Sequence, residues 1–192
     1  MSKTTSERIL ATPSSYTKKH YLYVQEIGTL KSLEPHISHR EKLDSFLFFI
    51  VTEGSGTVTF HDTPFPIKAG DCVWLCCQDP YFHESSVENP WTLMWVHFNG
   101  AQAQSFYELY REKEGAVTYT PTALTPYTDC LQELYRLQQQ KDSLSDLLSH
   151  RQLTDLMAQI FYDSFHGSTR NAIPEKFVAV NHYLEQHYAE KI

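Results

Sequence analysis

Most residues of this chain that could do chemistry are scattered. Ten histidines and four cysteines are spread through 192 residues. Cys72, Cys76, Cys77 and Cys130 form neither a CxxC pair nor the paired spacing of a zinc site, and a reducing compartment keeps such thiols free. The neighbouring Cys76 and Cys77 could close a disulfide only in strained geometry, so small buried thiols are expected. After Gly56 the next histidine is His61, followed by Asp62, with no second histidine and no glutamate before Gly70. His36, His39, His83 and His97 remain as histidines that folding could gather. There is no GxSxG, P-loop or GxGxxG segment. No catalytic residue, metal ligand or cofactor is therefore assigned. The ordered exception is Trp91 to Phe98, where Trp91, Leu93, Trp95 and His97 share one face of an alternating run. An indole there could stack on a ligand ring while an imidazole two residues on supplies a hydrogen bond, and the same face equally suits a packed core.

These residues sit among short β-type runs that extend from Tyr21 to about Asn99 and are broken by turn residues, the texture of a sandwich or barrel. Phe46 to Thr52 is apolar on both faces and is expected where both sides are covered. Gly54-Ser-Gly56 turns the chain into Thr57 to Phe60. Asp62 to Pro66 reads as a break, Ile67 to Asp71 as a tight turn, and Cys72 to Cys76 as a further strand. After Gly100 the period changes. Tyr127, Leu131 and Leu134 mark one amphipathic helix, and Leu153, Leu156, Met157, Ile160 and Phe161 mark a longer one from about Ser145 to Phe165. His166 to Asn171 reads as a linker, and Phe177, Val180, Tyr183, Leu184 and Tyr188 as the stripe of a last helix that finds no partner before Ile192, which suggests truncation.

The order Asp44 to Ile50, Gly54-Ser-Gly56, Ile67-Lys-Ala-Gly-Asp71, Pro80-Tyr-Phe-His83 and Trp91 to Gly100 resembles the N-terminal sensor domain of AraC/XylS-type transcription regulators. The resemblance covers roughly residues 20 to 100. It implies a mainly β fold, a cupin-type jelly-roll barrel over 20–104 preceded by an arm over 1–19. A helical dimerisation segment with linker would follow over 105–170. Residues 171–192 are similar to the first helix of that family's DNA-binding domain, whose remaining part is not in this chain. The resemblance further implies ligand contacts by Trp95, His97, Arg40, Tyr81, His83 and Trp91, with a small-molecule effector. A homodimer would form through Leu147, Leu148, Leu153, Leu156 and Ile160.

Within that resemblance, an effector-binding, non-enzymatic, cytoplasmic regulator domain is expected, with a sugar or related polar molecule as effector. A metal-dependent cupin enzyme such as a sugar isomerase is the alternative, though its HxH and glutamate set is not matched. A barrel filled by its own side chains, serving dimerisation alone, is a third. Sixteen Lys and Arg against 23 Asp and Glu give a formal charge of −7, which repels a polyanion unless the cations are clustered. The longest basic run is Lys18-Lys19. DNA contact is therefore expected only through the missing part, and no run is apolar enough to suggest a membrane span.

Overall fold

The computed structural model describes residues 4–35, 37–40, 42–113 and 115–167, with the side chains of all but His39, Arg40, His166 and Gly167. The expected helix beyond residue 171 lies outside the described residues.

The elements are β1 (Thr4–Leu10), α1 (Ser15–His20), β2 (Leu22–Ser32), β3 (Ile37–Arg40), β4 (Phe46–Glu53), β5 (Ser55–Phe60), β6 (Thr63–Lys68), β7 (Cys72–Cys76), β8 (Tyr81–Ser85), β9 (Thr92–Gly100), α2 (Ala103–Glu112), β10 (Thr118–Tyr119), α3 (Thr125–Gln140) and α4 (Ser145–Gly167). Six strands form a sheet in the order β1-β2-β9-β4-β7-β10 and four form a second in the order β3-β8-β5-β6. All pairings are antiparallel. The two sheets close a jelly-roll barrel of cupin type, and the helices cover the outer face of the larger one. Two edge strands come from outside the 20–104 span: β1 ahead of it and β10 after it.

The larger sheet is covered on both faces, and its sequence shows why. Along β4, Phe46, Phe48 and Ile50 belong to the helix-side core, while Leu47, Phe49 and Val51 belong to the core between the sheets. Strand β7 repeats this, with Cys72, Trp74 and Cys76 toward the helices and Val73, Leu75 and Cys77 inward. A strand buried on both sides has no polar face, so its sequence runs apolar without alternation. Covering the helix side are Tyr107 and Tyr110 of α2, Tyr127, Leu131 and Leu134 of α3, and Leu153, Leu156, Met157 and Ile160 of α4.

Two local readings change in the structure. Asp62 to Pro66, read as a break, is mostly strand β6, which pairs with β5 alone; the turn is His61-Asp62, both at positive φ (49° and 58°). Pro64 and Pro66 withhold their donors at alternate positions, which suits an edge strand. The dimerisation residues also need correction. Leu153, Leu156 and Ile160 are buried in the core of the single chain, so no second chain is needed to cover them. Leu147 is 47% exposed and Leu148 half-buried, and both stay at the surface.

Candidate functional site

Between the sheets lies a cavity of about 250 Å³. Its walls follow from strand alternation, which turns the inward residues of several strands toward one space. Strand β9 contributes Leu93, Trp95 and His97, β8 contributes Tyr81 and His83, and β4 contributes Leu47 and Phe49. The Trp95 and His97 rings meet edge to face at 5.6 Å, and Tyr81 and His83 stack at 6.2 Å. Phe49 stands 5.9 Å from the His83 ring. A larger recess of about 660 Å³ beside the β5 hairpin is lined by no aromatic residue and lacks such an arrangement.

Of the residues expected from the sequence, Trp95, His97, Tyr81 and His83 are thus brought together. Arg40 stands opposite Tyr81 in the β3–β8 register. Its side chain lies outside the described residues. Trp91 is not on the cavity wall: it is fully buried, 5.8 Å behind the His83 ring and 6.5 Å from that of Phe49. It packs on Gly56, where a Cβ would come within 2.2 Å of the indole.

Four polar groups that sequence reasoning missed complete the wall: Ser6 and Arg8 of β1, Glu26 of β2 and Ser38 of β3. Arg8 Nη1 donates to Glu26 Oε1 at 3.0 Å, tying the first strand to the second across the mouth. Glu26 reaches the cavity because β2 is irregular between Val24 and Glu26. Leu22 and Val24 point to the helices, and strict alternation would send residue 26 there too; after the bulge it is Ile27 that faces the helices, while Glu26 and Leu30 face inward. Bulges re-aim side chains in this way. The only trace of it in the sequence is a charged residue interrupting the helix-side series.

His97 is held from behind. Its Nδ1 lies 3.0 Å from Ser45 Oγ and 3.9 Å from Cys77 Sγ, and both residues are buried. Most of the buried groups whose ionisation is displaced lie on the helix side. Burial pushes the Tyr107 phenol up to about 12 and raises those of Tyr110, Tyr119 and Tyr127 as well as the Cys72 thiol. High-lying thiols are poor nucleophiles at neutral pH. Among the described residues, no group of three or more His, Cys, Asp and Glu side chains is placed to hold a metal ion. The arrangement is that of a small binding vessel: aromatic faces, two imidazoles and an ion pair around a space the size of a few ring atoms.

The model of the AraC-like ligand binding domain matches residues 27–157. The Msm operon regulatory protein of Streptococcus mutans is 24% identical over 113 residues, covering 49% of this chain and 41% of that protein. The MmsAB operon regulatory protein of Pseudomonas aeruginosa is 26% identical over 86 residues, covering 43% of this chain and 28% of that protein. The chain thus spans less than half the length of these curated relatives. Among solved structures, the cupin domain of an XRE family transcriptional regulator from Enterobacter cloacae superposes with a TM-score of 0.41 at 10% identity, covering 52% of this chain and 100% of that one.

Proposed function

Since this chain belongs to the AraC-like ligand binding domain family, we propose that it is the effector-sensing and dimerising part of a cytoplasmic transcription regulator that contacts DNA through a separate C-terminal domain. The observation that carries the reading is the cavity in which Trp95, His97, Tyr81, His83, Arg8 and Glu26 converge. Its effector is a small polar ring, a sugar or a close relative. The indole of Trp95 covers the apolar face of the ring, and the imidazoles and the Arg8–Glu26 pair take its polar edge. No bond is made or broken; the domain binds and passes on the occupied state.

A thermal-shift screen of neutral sugars, sugar acids and aromatic acids tests the reading. An effector at a hundred times its Kd adds about 2.7 kcal/mol of stability. Trp95→Ala should weaken binding of the compound so found by about 1–3 kcal/mol, and Trp95→Phe by less, with folding checked by circular dichroism. Unchanged affinity in folded Trp95→Ala would place the effector elsewhere. Metal analysis of the purified protein separates this reading from a metal-dependent cupin enzyme: stoichiometric bound metal would favour the enzyme.

A second copy is proposed to pair through α4. Its outward side carries Leu147, Arg151, Asp155, Ala158 and Tyr162, continued by Leu144 in the turn just ahead of it, all exposed and spaced three or four apart. Such spacing gives one straight stripe, the form of a helix-to-helix seam.

A further inference from the structure

Arg8 and Trp95 reach the cavity from one row across the larger sheet. Arg8 stands opposite Gly28 in the β1–β2 register and Gly28 opposite Trp95 in the β2–β9 register, and residues opposite one another in an antiparallel pair share a face. Gly28 puts no side chain between them, and none would fit: a Cβ there would come within 2.2 Å of the Glu7 carbonyl oxygen and 3.0 Å of Arg8 Cα. The row would therefore present an uncompensated guanidinium beside the indole, were it not for Glu26, which the irregularity of β2 turns inward and whose Oε1 accepts from Arg8 Nη1 at 3.0 Å. Among the described residues on the cavity wall, these two carry the fixed charges; the other polar groups are hydroxyls, imidazoles and an indole. The pair does little for stability, because its side chains are 60% and 22% exposed and water screens their attraction. Its effect is on the field inside the cavity, where the carboxylate offsets the cation.

We propose that Glu26 is a specificity-determining residue: it neutralises Arg8 and thereby turns the cavity toward uncharged ligands and away from carboxylates and phosphates. The proposal rests on the reading of the cavity as the effector site, and it narrows the class of effector. An anionic ligand on the Trp95 face would have to take Arg8 from Glu26, and the displaced carboxylate would remain in the same small space as a like charge. A ring hydroxyl makes no such demand. It accepts from an Arg8 N–H that the pair leaves over, or donates to a lone pair of Glu26, while the two stay joined. Glu26 thus discriminates by repulsion of the wrong ligand as much as by attraction of the right one.

The test needs no effector. Two nitroxide radicals of similar shape and opposite charge, carboxy-PROXYL and aminomethyl-PROXYL, relax protein protons in proportion to their local concentration, so the ratio of the two enhancements reads the potential at a chosen proton. It is read on the indole N–H of Trp95 in the ¹⁵N-labelled full chain at about 0.1 M salt, the signal being identified by its loss in Trp95→Phe. Glu26→Gln keeps the shape and removes the charge. It should raise the anion-to-cation ratio about threefold, the order expected of one uncompensated unit charge several ångströms away. Arg8→Gln should lower the ratio, and combining the two substitutions should return it toward the parent value. Glu7→Gln changes the net charge of the chain identically, but Glu7 lines a groove between β2 and α3 on the far side of the sheet, so the ratio should move far less. Charges common to all the proteins cancel in these comparisons. A ratio unmoved by Glu26→Gln, or moved as much by Glu7→Gln, overturns the proposal. Should Arg8→Gln not fold, Glu26→Gln with the parent's circular dichroism spectrum decides alone. That failure leaves the cavity as an effector site of another selectivity, whereas a thermal-shift screen without a hit counts against the site and leaves the charge balance standing.

Discussion

Two tryptophans two turns of the pleat apart on one face separate into different roles. Trp91 is fully buried against Gly56, whereas Trp95 is half-buried on the cavity wall. Trp91→Ala should therefore cost about 3–5 kcal/mol of stability, the usual loss for a large core aromatic. Trp95→Ala should leave the denaturation midpoint closer to the parent's and fall mainly on binding. Gly56→Ala tests the same contact from the other side. Its methyl would stand 2.2 Å from the Trp91 ring and 2.3 Å from the Glu84 carbonyl, so about 1–3 kcal/mol should be lost to overpacking. Urea titrations of the three variants give these numbers, and equal midpoints for Trp91→Ala and Trp95→Ala would undo the distinction. Alternation in the sequence put both indoles on one face but could not say where along that face the packing ends and the space begins.

At the scale of elements, α4 illustrates how far an apolar stripe can be misread. Its leucines outnumber what one narrow contact seems to need, yet Leu153, Leu156 and Ile160 are consumed by the sheet beneath and by α3. The exposed stripe is what remains for a partner. Antiparallel pairing of two copies about position 153 would set Arg151 opposite the partner's Asp155 twice over and Leu144 opposite the partner's Tyr162. Leu147→Glu should then shift sedimentation from near twice the 22.3 kDa mass toward the single-chain value with the circular dichroism spectrum intact. Leu156→Glu should instead unfold the chain, because it buries a lone charge in the core. Arg151→Asp should weaken the pair, and adding Asp155→Arg should restore it. A parent that sediments as a 22 kDa species at micromolar concentration would end the dimer proposal. The central strands and long helices were legible because burial imposes a period on them. Strand β1 was not: Thr4 to Leu10 is polar and largely exposed, and backbone pairing with β2 holds it. Arg8 was missed with it, and Glu26 was missed because a bulge leaves no periodic signature. The prolines of β6 masked an edge strand.

For the whole molecule, the helix-side core sets a response to high pH. The helix-side core holds Tyr107, Tyr110 and Tyr127, with Tyr119 packed on it, all with phenols raised chiefly by burial. Tyr127 Oη also donates to the buried Asp163 of α4 at 2.7 Å. A phenol raised in the folded state stays protonated after its unfolded counterpart, with a pKa of about 10, has ionised. The stability it confers is therefore present below about pH 10 and is lost as pH climbs toward the folded value, about 12 for Tyr107. Thermal melts should be level through neutral pH and fall steeply above about pH 10, with the phenolate absorbance of the buried tyrosines appearing together with loss of helix, after that of exposed ones such as Tyr16 and Tyr162. Phenolate absorbance amounting to all twelve tyrosines in a protein that keeps its helices would contradict this.

Trp74 and Trp91 are sealed at 0% exposure, while Trp95, the remaining one of the three tryptophans in the chain, opens on the cavity. The domain thus carries its own optical gauge. Two indoles emit from a dry interior as a constant blue background, and the third reports whatever replaces water beside it. Emission should change in wavelength or intensity when the vessel fills, and Trp95→Phe should silence that change without dimming the background, so occupancy can be followed by light alone with no label attached.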